Sequence, residues 1–528
     1  MKLFNAFLYL TLLLIINACN PQEMKENEIK SIADFPDGVA YEIFIQSWAD
    51  GNGDGIGDFK GATQKLVYLE DLGISAVWLM PIMPSPSYHK YDVTDYKAIH
   101  ADYGTMQDFK IFLAEAHKRN IKVVIDMIIN HTAADHPWFQ EAKKGKDNPY
   151  RDYYVWADRD SIADQIAKKE VTQDSDNITQ WHAVDNQKDQ EHYYGFFWGG
   201  MPDLNFDNPK VRQEIYDIGR FWLEDIGVDG FRLDAAKHIF PDDRLKDSYE
   251  FWQEYRDEMR KIKPDVYLVG EVWASSEIVK EFAKGLPALF NFDLAGSIQQ
   301  SVIQGENVAS TIEGPKWVNL ENEDLISRLI KQREVFKSAT EDYQDAIFLS
   351  NHDQNRVMSN FKVDLKKAKM AASILLTLPG TPYVYYGEEI GMLGKKPDPN
   401  IREPFLWEEK EKDIVRPSWM EPEFTTDSTV QSLSIQIDNP QSVYNHYRKW
   451  IHFRNGSEVL TKGEIIPFKN QNKNLLAFTR VFEGEQLHII HNLSSKMQGL
   501  KTTPNDIVFG EGNFQNGKLK ANSSIIFK

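Results

Sequence analysis

The sequence predicts an α/β chain built on a (β/α)8 TIM barrel, with a small inserted domain after the third barrel strand and a C-terminal antiparallel β-sandwich domain. Three observations carry this. Residues 39 to about 455 alternate strand-like apolar runs with helix-like stretches, the pattern of a parallel sheet. The runs number eight, the count that a closed barrel needs. Four carboxylates, Asp126, Asp234, Glu271 and Asp353, close such runs. An acid where a buried strand emerges is costly to desolvate unless it has work to do, and in a barrel those positions ring the mouth that carries the chemistry.

The first strand is read at 40–46 and the second at 76–81, with a helix over 106–119 behind it. The third, 123–129, runs into Asn130-His131. Residues 132–205 are polar and aromatic-rich with weak periodicity. A structureless loop of that length is disfavoured in a compact fold, so the stretch is read as the inserted domain. A helix over 209–226 leads to the fourth strand at 230–234, and strands at 266–271, 288–292, 346–351 and 382–386 complete the set. The barrel thus occupies 38–131 and 206–457. Beyond it the helical pattern stops. Residues 475–480, 486–491 and 523–527 read as short strands between Gly and Asn turns, giving a terminal β domain over 458–528.

The first 18 residues read as a signal peptide. Lys2 is followed by a mostly apolar stretch that is short for a spanning helix, which needs roughly 20 residues. Cys19 is the single cysteine, so no internal disulfide can form. Ile-Asn-Ala-Cys19 resembles a bacterial lipoprotein cleavage box, which implies lipidation at Cys19, a polar tether over 19–37, and export to a membrane face.

Against 60 Lys and Arg stand 79 Asp and Glu, a net charge of −19. That argues against nucleic acid or an anionic lipid surface as the main partner, and a neutral substrate is indifferent to it. Aromatic residues make up 12% of the chain and can stack on sugar rings, although most such residues in a large protein are core.

Six segments in order resemble the α-amylase family of glycoside hydrolases (family 13). They are Asp126-Met-Ile-Ile-Asn130-His131, Met201-Pro-Asp-Leu-Asn205, Gly230-Phe-Arg232-Leu-Asp234-Ala-Ala-Lys237-His238, Gly270-Glu271-Val-Trp273, Phe348-Leu-Ser-Asn351-His352-Asp353 and Gly380 to Gly391. The resemblance implies a retaining mechanism with Asp234 as nucleophile and Glu271 as acid/base. Arg232, two residues before Asp234 on one strand, faces the same side and would keep that carboxylate ionised. Glu271 must begin protonated, which requires a raised pKa. The third family acid is Asp353, which would hold ring hydroxyls. His131 and His352 resemble the pair that binds the sugar being cleaved. Tyr91 and Asp92 match the floor of that subsite, and Lys237 and His238 match contacts on the leaving-group side. Asp126 is read as orienting its neighbours.

Asp50-Gly-Asn52-Gly-Asp54-Gly-Ile56-Gly-Asp58 places oxygen side chains at alternate positions between glycines that let the loop curl. It resembles the first part of an EF-hand loop, and family members carry such a loop here. A structural Ca²⁺ is expected on Asp50, Asn52, Asp54, Asp58 and the Ile56 carbonyl. The Lys237-His238 pair resembles enzymes of α-1,4 glucans, so the expected activity is α-amylase on starch or maltodextrins. A neopullulanase, cyclomaltodextrinase or α-glucosidase of the same family is the alternative. A non-catalytic glucan-binding protein on the same fold is the reading from another class.

Overall fold

A computed structural model describes residues 33–166, 179–185, 190–313 and 316–528. Cys19 and the leader lie outside the described residues. Eight parallel strands close into a barrel: β1 (Val39–Ile43), β2 (Ile74–Leu79), β3 (Lys122–Met127), β4 (Gly230–Leu233), β5 (Tyr267–Gly270), β6 (Ala288–Phe290), β7 (Gln344–Phe348) and β8 (Thr381–Tyr385). Each strand pairs with its chain neighbour, and β8 returns to β1.

Alternation within the strands explains how the barrel is filled. Ala40, Ala76, Trp78, Val269, Ala288, Phe290, Ala346, Phe348 and Tyr383 form one cluster. Their immediate neighbours Tyr41, Val77, Leu268, Leu289, Ile347 and Val384 belong to another, larger cluster. A strand side chain alternates faces, so the first cluster is the barrel interior and the second packs under the helices. The same parity sends Glu42, Asp126 and Arg232 inward, because Tyr41, Ile43, Ile125, Met127, Phe231 and Leu233 all face out. Asp126 and Arg232 are also direct partners in the β3–β4 register. That register brings the two side chains into an ion pair inside the barrel.

The helices follow ordinary capping chemistry. Met106–Lys118 starts at a capping box in which Thr105 and Asp108 bind each other's backbone N–H, and it buries Phe109, Phe112, Leu113 and Ala116 on one stripe. Pro209–Arg220 starts at Asn208 with Pro209 in the first turn. The single helix expected over 209–226 is α-helical only to Arg220. The last turn, Phe221–Ile226, widens to π geometry, with the Gly227 N–H reaching Trp222 O at 2.9 Å and Trp222 Nε1 tied to Tyr96 O at 2.8 Å.

Between β3 and β4 lies a three-stranded antiparallel sheet of Trp156–Asp158, Glu191–Tyr194 and Trp181–Ala183. After the barrel come a five-stranded antiparallel sheet, which holds Leu475–Phe482, Glu485–Asn492 and Ser523–Phe527, and a small three-stranded one. Leu475, Ile490, Ile525 and Phe527 from the larger sheet share a core with Leu519 and Phe514 from the smaller.

Candidate active site

The carboxyl ends of the barrel strands open into a cavity of about 1010 Å³ bordered by Tyr91, His131, Asp234, Glu271, Asp353 and Arg402. Asp234 follows β4 directly and Glu271 follows β5 directly. Asp353 does not close its strand. β7 ends at Phe348, and Asp353 sits five residues on, in a turn where Asn351 Oδ1 accepts its N–H at 3.1 Å. Ala235, just after Asp234, is held at φ 46°, a strained left-handed turn for a residue with a Cβ.

Arg232 is the hub. Its Nη1 donates to Asp126 Oδ1 at 2.9 Å and to Asp234 Oδ1 at 2.5 Å, and its Nη2 lies 2.8 Å from Glu271 Oε2. The guanidinium also lies 5.0 Å from the Trp78 ring centre. It is completely buried, so three acids around one cation offset a desolvation cost that none could offset alone. Asp126 receives two further donors, Tyr91 Oη at 3.1 Å and Trp78 Nε1 at 3.3 Å. Its side chain is fully buried, with Arg232, Tyr91 and Trp78 all donating to it.

A second set of charges holds Asp353. Arg402 Nη2 donates to its Oδ1 at 3.0 Å, and His352 Nε2 lies 2.9 Å from its Oδ2. The other His352 nitrogen meets Glu42 Oε1 at 2.5 Å. Arg402 Nε also donates to the His352 carbonyl at 3.0 Å.

These surroundings separate the acids. Burial pushes Glu271 up to about 8, against the pull of Arg232 and with help from Asp234 and Asp353. Asp126 is raised by burial to about 7, with Arg232 opposing. Burial raises Asp353 too, but His352 and Arg402 overcome it and hold that carboxyl well below the usual range. His352 is driven by Asp353 and Glu42, against its burial, up to about 10. The same cavity thus favours the protonated form of Glu271 and the ionised form of Asp353.

The remaining sequence-predicted residues fall in different places. Tyr91 and His131 border the cavity, and Tyr91 stacks on His352 with ring centres 5.4 Å apart. His352 itself is wholly buried behind Tyr91, both its nitrogens engaged. Asp92 lies under the rim, accepting from Ser85 at 2.6 Å and from Ser87. Lys237 pairs with Asp242 at 3.0 Å. His238 stacks on Phe196 at 3.9 Å and borders a second cavity of about 1170 Å³. Two charged groups escaped the sequence reading. Glu42 carried a usable signal, an acid in the apolar run Val-Ala-Tyr-Glu-Ile. Arg402 sits in a loop after the last strand, where no periodicity points to it.

Residues 42–463 match the family described as "Alpha amylase, catalytic domain". The chain belongs to the α-amylase family of glycoside hydrolases. It is 43% identical over 460 residues to alpha-amylase 3 of Dictyoglomus thermophilum, covering 87% of this chain and 85% of that one. It is 36% identical over 474 residues to a 4-alpha-glucanotransferase of Thermotoga neapolitana, covering 88% and 98%. Among solved structures, the alpha-amylase from H. orenii superposes with a TM-score of 0.81 at 40% identity, covering 93% of this chain and 98% of that one.

The expected Ca²⁺ loop of this α-amylase-family chain lies just after the short helix Ile45–Trp48. The side-chain oxygens of Asp50, Asn52 and Asp54 each accept the N–H two residues on, at 3.1, 2.9 and 2.9 Å. Gly53 and Gly55 take φ of 84° and 93°, which lets the loop curl. Asp50 and Asp58 are buried, and among the described residues neither has a basic ion-pair partner. Among the described residues no three His, Cys, Asp or Glu side chains gather closely enough to hold a metal by themselves. The loop set is different in kind, since it adds the Asn52 amide oxygen and the Ile56 carbonyl. Those hard oxygens fit Ca²⁺.

Proposed function

We propose that the chain is a retaining α-amylase that cleaves α-1,4-glucosidic bonds in starch or maltodextrins. The observation that carries this is the shared guanidinium of Arg232, with Asp234 and Glu271 on its two terminal nitrogens at the floor of a sugar-accommodating cavity. Acids bridged in this way lie close together, as a retaining pair does at about 5–5.5 Å. Asp234, aimed by Arg232, attacks the anomeric carbon and forms a glycosyl-enzyme while Glu271 protonates the departing oxygen. Deprotonated by that step, Glu271 then takes a proton from the water that attacks the intermediate, and Asp234 leaves. Asp353 holds ring hydroxyls throughout, which is why its charge is fixed by two cations. The similarity to an alpha-amylase supports hydrolysis. The similarity to a glucanotransferase supports a second outcome, in which a sugar hydroxyl replaces water at the intermediate.

The test is reducing-sugar release from soluble starch by the wild type and Glu271→Gln. The expected result is release by the first and near-complete loss in the second. Release by neither would favour a binding protein. The Asp50–Asp58 loop is proposed to hold one Ca²⁺ that stiffens the mouth and takes no part in the reaction. Cys19 is proposed as a lipidated residue that tethers the enzyme to a membrane. Labelling with a radioactive fatty acid should mark the wild type, and a Cys19→Ser variant that still carried label would refute the anchor.

A further inference from the structure

At about 1010 Å³ the cavity lies at the upper end of ordinary ligand pockets, which run to about 1,000 Å³, so it has room beyond a single sugar ring. Its wall beside Glu271 carries an element that barrel closure does not require. After the helix Phe292–Gln304 come two paired antiparallel strands, Ser310–Glu313 and Lys316–Asn319. They are fastened to that helix. The buried Asp293 accepts from the Ile312 N–H at 3.0 Å and from Thr311 Oγ1 at 3.2 Å, and Ser297 Oγ accepts from the Ser310 N–H at 2.8 Å.

Trp317, on the second strand, borders the cavity. Its Nε1 donates to the Phe292 carbonyl at 3.1 Å. One part of its indole rests on Gly296, where an added Cβ would come within 2.4 Å of it. A side chain held at its edge and against a glycine is a rigid surface. Trp273 borders the same cavity, two residues after Glu271, and stacks on Phe292 with ring centres 4.6 Å apart and planes 18° from parallel. Its Nε1 is buried and has no hydrogen-bond partner. Gln354 also borders the cavity, and its Oε1 is buried without a partner. Unpaired buried donors and acceptors are rare because they forfeit hydration. A sugar offers what this wall lacks, hydroxyls that both donate and accept and an apolar ring face that stacks on an indole.

We propose that Trp317 and Trp273 form a binding platform for the leaving-group part of an α-glucan, with Trp317 under a glucosyl unit and Trp273 Nε1 donating to one of its hydroxyls. This rests on the reading of Glu271 as proton donor. Trp273 follows Glu271 by two residues, and Trp317 is tied to the Phe292 on which Trp273 stacks, so both tryptophans lie on the acid's side of the cavity, where the oxygen departs. The platform sets how strongly the enzyme prefers a chain to a short substrate.

The experiment compares kcat/KM on maltoheptaose with kcat/KM on 4-nitrophenyl α-maltotrioside, whose leaving group is not a sugar, for the wild type, Trp317→Leu and Trp317→Phe. Trp317→Leu should lower the maltoheptaose to aryl-substrate ratio by about fivefold to tenfold, the worth of one aromatic contact. Trp317→Phe, which keeps a π face, should retain most of the ratio. Equal losses on both substrates, or an unaltered ratio in Trp317→Leu, would overturn the platform. A wild type inactive on both would refute the catalytic reading instead. The platform would then be judged by calorimetric binding of maltoheptaose, which Trp317→Leu should weaken by the same factor and which an unaffected variant would disprove.

Discussion

Two clusters of buried acids sit in this molecule, and they differ in ways that separate chemistry from architecture. At the mouth, Asp126, Asp234 and Glu271 share Arg232, and Asp234 and Glu271 open onto the cavity. Beside β8, Glu388 and Glu389 are buried but meet only neutral donors: Tyr447 at 2.8 Å and Ser350 at 3.1 Å for the first, Tyr68 at 2.6 Å and Tyr41 at 2.8 Å for the second. Burial raises both, Glu388 to about 8 and Glu389 to about 7. A raised carboxyl is therefore common to both clusters and marks neither as catalytic. The guanidinium and the open cavity make the difference, because a buried acid without a cation is held neutral, whereas an acid beside Arg232 can exist charged.

The sharpest way to break this comparison is to remove one acid from each cluster. Glu271→Gln should lower kcat on maltoheptaose by about 10²- to 10⁴-fold, the usual contribution of a positioned acid/base. Glu388→Gln should leave kcat within about twofold, since it imitates a form already protonated and touches no substrate. A loss in Glu388→Gln matching that in Glu271→Gln would erase the distinction. The next effect is at Arg402. Arg402→Met removes one of the two cations on Asp353, and kcat/KM should fall roughly ten- to a hundredfold, as for a lost charged hydrogen bond.

The pH dependence of the two clusters should also diverge. Glu271 must be protonated to act, so kcat/KM should decline as pH rises through about 8. Glu388 and Glu389 affect stability. Their folded-state pKa values lie above the unfolded carboxyl value, so folding takes up protons, and their contribution is complete below about 4.5 and is lost as pH rises through about 7 to 8. Thermal melts of Glu388→Gln should show a shallower alkaline decline than the wild type while its pH–rate limb stays in place. The smallest expected effect is at the Asp50–Asp58 loop. EDTA should lower the melting temperature and Ca²⁺ restore it, with stabilisation of up to roughly 2.7 kcal/mol at a hundredfold excess over Kd, and Asp54→Ala should abolish the response.

Much of this was legible in the sequence because barrel chemistry is repetitive. All eight strands lie where the apolar runs place them, and parity along β4 correctly puts Arg232 and Asp234 on one side. What escaped the sequence reading depends on loops and distance. Arg402 reaches Asp353 from 49 positions away in the chain. Trp317 becomes a cavity wall only through its perch on Gly296. His352, whose motif resembles a sugar contact, is buried with Tyr91, Glu42 and Asp353 at its ring nitrogens, an arrangement that its letters do not reveal. Nor does the segment Gly-Glu388-Glu389 reveal from its letters that its acids serve packing.

The most direct measurement is covalent trapping with a 5-fluoro-α-glycosyl fluoride followed by peptide mass mapping. The account requires one sugar adduct on the peptide bearing Asp234, formed in the wild type and absent from Asp234→Ala. An adduct on Asp126, Asp353 or Glu388, or turnover with inverted product anomer and no adduct, would contradict it.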